Sequence, residues 1–136
     1  MRKIGLDVGD VRIGVAVSDM LNILANPYET YVRKSIEEDV LHFQNLQKEM
    51  NADTFVVGLP LNMDGTAGDR VEKTKEYAGI LAEYIDAKFV FQDERLTTVQ
   101  AEKVLISGGV RREKRKKVVD KVASTIILQS YLDRFS

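Results

Sequence analysis

Residues 4–17 read IGLDVGDVRIGVAV, and how this run pairs with itself decides the fold. Ile4, Leu6 and Val8 form one apolar stretch, a Gly9-Asp10 step interrupts it, and residues 13–17 (IGVAV) resume it. Two β-forming runs around a short Gly-Asp turn predict a hairpin. Residues 28–33 (YETYVR) alternate loosely and predict a third, half-exposed strand.

Beyond them the period changes. Ser35 and Glu38 stand in the capping-box relation, and Ile36, Val40, Phe43, Leu46 and Met50 recur at helical spacing. Residues 54–58 (TFVVG) predict a short buried strand, and a loop over 59–68 leads to a second helix with Val71, Ala78, Leu81 and Ile85 on its apolar face. Residues 88–92 (KFVFQ) predict another buried strand. Thr97 and Gln100 cap a helix that continues through Ala101, Val104 and Leu105 to Gly108-Gly109. A basic loop follows, then a last helix carrying Val119, Val122, Ala123, Ile126, Ile127 and Leu132. The order βββαβαβα predicts an α/β fold, a mixed five-stranded sheet flanked by helices, built as one domain over residues 1–136.

Composition narrows the chemistry. The 136 residues include no cysteine and one histidine, His42. That excludes a disulfide framework, a thiolate nucleophile and any zinc site built on cysteine or several histidines, and His42 reads as a surface or boundary residue. The N-terminus reaches charge at Asp7 and lacks the apolar stretch of a signal peptide, and no window reaches a membrane span. The expected compartment is the cytoplasm, with no membrane partner. Net charge is −1, yet residues 1–110 carry −6 and residues 111–136 carry +5. Arg111, Arg112, Lys114 and Arg115 lead that basic segment, which suits contact with a nucleic-acid backbone and equally suits a solvated face.

Three carboxylates are candidates for a shared site. Asp7 interrupts an apolar strand, where an unneutralised charge is costly. Glu94 follows a strand at the sheet end where α/β folds build sites. Asp120 opens the last helix beside Ala123 and Ser124, whose small size permits close approach to a sheet. Each also has a plain reading: a satisfied hairpin acid, a turn residue, and a helix-start acid favoured by the macrodipole. Asp10 and Asp93 read as solvated neighbours. Two Asp and one Glu together make a hard oxygen donor set suited to Mg²⁺ or Mn²⁺, and hence to phosphodiester hydrolysis. The 58–66 loop (GLPLNMDGT) could offer backbone N–H groups to phosphate or be a plain strand-to-helix connection.

These segments resemble one family: residues 4–19 (IGLDVGDVRIGVAVSD), 57–66 (VGLPLNMDGT), 93–98 (DERLTT), and Asp120 with 127–132 (ILQSYL). They are similar to the YqgF (RuvX) family of small bacterial nucleases, assigned to 16S rRNA precursor processing or Holliday junction resolution. The resemblance implies an RNase H-like fold, with Asp7, Glu94 and Asp120 as metal-binding catalytic residues and Arg12, Asn62 and Gly65 close to substrate. It leaves open whether the substrate is precursor RNA or branched DNA, and whether the protein acts as monomer or homodimer. Ser124 stands where the family usually has a second small Ala. The Leu6-Asp-Val-Gly9 run also resembles a phosphate motif of actin-like and sugar-kinase-like ATPases, which need two such domains. A non-catalytic nucleic-acid-binding scaffold is the remaining alternative.

Overall fold

The computed structural model describes residues 1–60, 68–93 and 112–134, with side chains of the last segment from Lys121 onward. The predicted hairpin is present: β1 (Arg2–Val8) pairs antiparallel with β2 (Arg12–Ser18), Asp7 lying opposite Gly14. Gly9 closes the turn by donating its N–H to the Arg12 carbonyl at 2.9 Å. A Cβ there would sit 2.7 Å from that same oxygen, so the close approach requires glycine.

β3 (Ala25–Val32) begins earlier than residues 28–33 and pairs antiparallel with β2. α1 (Ile36–Glu49) starts at Ser35, whose hydroxyl accepts from the Glu38 N–H at 3.2 Å, the expected cap. β4 (Ala52–Leu59) returns parallel to β1, α2 (Asp69–Tyr84) crosses over, and β5 (Lys88–Asp93) lies parallel to β4. The sheet order is β3-β2-β1-β4-β5, with β1 in the centre.

Strand alternation divides the interior. Ile4, Leu6 and Val8 of β1, Ile13, Val15 and Val17 of β2, and Phe55 and Val57 of β4 point to one face, where Phe43 and Leu46 of α1 and Tyr77, Ala78 and Leu81 of α2 cover them. The intervening positions, Ala16 and Val56, meet Ile127, Leu128 and Leu132 of the last helix, α3 (Arg112–Arg134). Burial on both faces explains why these strands read as near-continuous apolar runs.

Two expectations are corrected. Residues 88–92 are not a buried strand: β5 ends the sheet order, and Phe91 is 40% exposed. An apolar run reports β preference but not whether a strand has neighbours on both sides. The basic segment is not a loop either, because the backbone is helical from Arg112. Arg and Lys are good helix formers, and neither Gly nor Pro interrupts residues 112–134. Asp120 therefore lies in the third turn of α3 rather than its first. The predicted helix through Ala101, Val104 and Leu105 falls outside the described residues.

Candidate functional site

Strands β1, β4 and β5 run parallel, so their carboxyl ends reach the same edge of the sheet. Asp7 is the penultimate residue of β1 and is half-buried, while Leu6 and Val8 beside it are buried. Its cross-strand partner, Gly14, contributes no side chain next to the carboxylate. Because side chains alternate along a strand, Asp7 shares its face with Gly5, the face that α3 covers.

Gly5 fixes how closely α3 approaches. A Cβ on Gly5 would lie 2.8 Å from the Leu128 Cβ and 2.9 Å from the Ser124 carbonyl oxygen. Ala123 and Ser124 are buried, as their small size predicts, and the Ser124 hydroxyl donates to the Lys121 carbonyl at 2.8 Å instead of facing the sheet unpaired. Residues four apart lie on one helical face. Asp120 thus belongs to the α3 face that carries Ser124 and Leu128, one turn earlier. Gln129 anchors the other half of α3, accepting from Ala25 N and donating to Ile23 O.

Glu94 follows Asp93, which pairs with Leu59 at the end of β5. Glu94, Asn62, Gly65 and Arg111 lie outside the described residues. The side chains of Asp120, Arg112, Lys114 and Arg115 are likewise outside them, though their backbone is part of α3. Among the described residues, no group of three metal-ligating side chains occurs. Arg12 opens β2 at the same edge as Asp7 and is exposed, as are the neighbouring acids Asp10 and Asp93. His42 is the boundary residue expected, stacked on Tyr31 at 4.0 Å between centroids and paired with Glu29.

Nothing in the sequence singles out Asp39. It follows Glu37 and Glu38 in the first turn of α1 and looks like another helix-start acid, yet it is 1% exposed. Its carboxylate accepts from Tyr31 Oη at 2.8 Å, Tyr77 Oη at 2.9 Å and Lys34 N at 2.9 Å. Burial, together with the bond to this carboxylate, raises both tyrosine pKa values well above the usual 10.0. On the far side of the Tyr77 ring lies the Arg33 guanidinium, 4.2 Å from its centroid, and Arg33 Nη1 donates to Gly9 O at 2.8 Å. A buried acid thereby braces the turn that follows Asp7.

Comparison with known proteins agrees with the resemblance in the sequence. Residues 1–134 match the family described as "RuvX: Holliday junction resolvase". The chain is 48% identical over 133 residues to a protein of Halothermothrix orenii, covering 98% of this chain and 95% of that one. It is 51% identical over 134 residues to one of Caldanaerobacter subterraneus subsp. tengcongensis, covering 98% and 96%. Both relatives carry the name "Putative pre-16S rRNA nuclease". Among solved structures, the Fowlpox virus resolvase in complex with Holliday junction DNA is similar with a TM-score of 0.62 at 12% identity, over 99% of both chains. RuvC of T. thermophilus, also in complex with a Holliday junction substrate, gives 0.61 at 13% identity over 99% and 96%. At those identities the likeness shows the fold, which is RNase H-like.

Proposed function

The chain belongs to the RuvX family, and we propose that it is a metal-dependent nuclease that hydrolyses phosphodiester bonds in structured RNA, with precursor 16S rRNA as its substrate. One observation carries the reading: a half-buried carboxylate, Asp7, set in the central strand on the face where Gly5 admits α3. Between buried Leu6 and Val8, an anion is stable where a cation or strong donors neutralise it. An oxygen-only donor set of Asp7, Glu94 and Asp120 fits Mg²⁺ or Mn²⁺ and does not select softer metals.

In this reading Asp7 of β1, Asp120 of α3 and Glu94, which follows β5, would hold the ion. A bound Mg²⁺ or Mn²⁺ would supply Lewis-acid polarisation of the phosphoryl group and lower the pKa of a water for attack on phosphorus, with the 3′-oxygen leaving. Arg12, Asn62 and Gly65 orient the strand at the sheet edge. Arg111, Arg112, Lys114 and Arg115 draw in the polyanion and offset the repulsion between its phosphates and the acids. Nothing in this scheme calls on a histidine base, which agrees with His42 being stacked on Tyr31 and paired with Glu29. The relatives' name favours precursor rRNA, while the family description points to a second substrate, a DNA four-way junction.

The deciding experiment offers precursor 16S rRNA, a single-stranded RNA and a four-way DNA junction side by side with Mg²⁺ or Mn²⁺. Cleavage of the precursor is expected from the wild type and none from Asp7→Asn, whose circular dichroism and melting should match the parent. Cleavage undiminished in Asp7→Asn would sink the reading. Salt-sensitive RNA binding with no turnover would mark the protein as a binding scaffold.

A further inference from the structure

On the opposite side of the sheet edge from α3, the turn after Asp7 opens into a second concavity. Val8, Gly9 and Asp10 form one wall, Arg33 another, and Arg70, Lys73 and Thr74 of α2 the third. This narrow pocket continues into an open cleft of about 470 Å³ between Arg33, Lys73, Glu76 and Tyr77. Three cations therefore line a pocket whose wall begins at Val8, the residue next to Asp7.

These cations are not all free to move in solvent. Arg33 is held by its bond to Gly9 O and its stacking on Tyr77, and Tyr77 is fixed in turn by buried Asp39. One of the guanidinium's five N–H donors is thus committed among the described residues, which leaves the planar fork available to an oxyanion. Arg70 and Lys73 are exposed, three residues apart on one face of α2, and among the described residues no ion pair joins either to Asp10 or Glu76. Two acids face three cations here, so the local charge favours an anion. A pre-oriented Arg flanked by two adjustable cations suits a phosphodiester oxygen pair.

We propose that Arg33, Arg70 and Lys73 form a phosphate subsite that grips the substrate backbone within a few nucleotides of the bond to be cut, on the α1–α2 side of the sheet. The subsite rests on the nuclease reading above. It acts on affinity and on the path of the strand, not on the chemical step. Arg33 holds position, while Arg70 and Lys73 supply adjustable charge.

The test uses fluorescence anisotropy and single-turnover cleavage with the same precursor rRNA fragment. Arg70→Ala combined with Lys73→Ala should weaken binding by about tenfold and flatten log K against log[salt] by roughly 0.7–0.9 for each phosphate no longer neutralised. The cleavage rate at saturating RNA should stay at the wild-type value. Asp10→Asn should shift affinity the other way, tightening it. Equal affinity and equal salt slope in all three proteins, with the wild type cleaving normally, would overturn the subsite and leave the nuclease reading standing. A wild type that neither binds nor cleaves the RNA would overturn both. A double variant that loses turnover at saturation with its salt slope unchanged would also count against the subsite, since it would make the two residues structural.

Discussion

Against one face of the sheet, α1 and α2 press Phe43, Leu46, Tyr77 and Leu81 onto Ile4, Leu6, Ile13, Val15, Phe55 and Val57. Against the other, α3 meets Gly5, Ala16 and Val56 with Ser124, Ile127 and Leu128. The first face is thick, aromatic and closed over a buried carboxylate. The second is thin where Gly5, Ala16 and Ser124 place little or no side chain between β1, β2 and α3. Large side chains hold the strands in register, and the small ones let a helix carrying Asp120 lie close above a strand carrying Asp7. Stability and the proposed chemistry fall on different sides of the same strands, and alternate residues of β1 face each.

The sharpest way to break this contrast is to remove bulk from the thick face. Phe43→Ala empties a fully buried site and should cost about 3–5 kcal/mol in urea unfolding. If it cost no more than a surface change, the thick face would not be the stabilising one. Adding bulk to the thin face comes next. Gly5→Ala should cost about 1–3 kcal/mol, because its Cβ meets the Ser124 backbone oxygen and the Leu128 Cβ inside contact distance. We expect RNA cleavage to fall more steeply than stability in that variant, since α3 must lift from β1.

The same substitution at Gly79 should act in the opposite direction. Among the described residues nothing lies within 4 Å of a Cβ there, on the outer surface of α2, so Gly79→Ala should stabilise by about 0.5–1 kcal/mol through helix propensity alone. Thermal melts of the two alanine variants should therefore move apart. A weaker effect is expected at alkaline pH. Tyr31 and Tyr77 have folded pKa values above the ordinary 10.0. Their contribution is complete below pH 10 and declines above it, because the unfolded chain loses phenolic protons that the folded one retains. Tyr31→Phe should flatten the alkaline limb of stability against pH; an unchanged limb would place the titration elsewhere.

Much of the architecture is legible in the sequence because it is written in local patterns. The Gly9-Asp10 turn, the Ser35 cap and the apolar faces of α1 and α2 follow from nearest-neighbour chemistry, and all are present. The rest is set by distant partners. Asp39 is chemically indistinguishable from Glu37 and Glu38 until Tyr31 and Tyr77 arrive from other elements. The exposure of Phe91 depends on β5 having β4 on one side in the sheet order. The start of α3 is hidden because a run of like charge reads as a solvated loop, while helix propensity favours continuing through it. At the candidate site, Asp7 stands out as a charge inside a core strand. Arg33 does not, because a cation after a strand is ordinary until its ring and carbonyl partners are known.

The seat of α3 on Gly5 joins residues nearly a whole chain apart, and this sets a timetable. During synthesis β1 emerges before α3, so in the proposed site Asp7 is made well before Asp120 can join it. Contacts between residues so far apart in sequence are also slow to form. In the proposed mechanism, a nascent chain that has not yet made α3 would carry Asp7 without Asp120 and would not cut the RNA around it. In the same mechanism, a chain released before Asp120 would be equally inert. For a protein proposed to cut the precursor of ribosomal RNA, the order of its elements works as a safety catch.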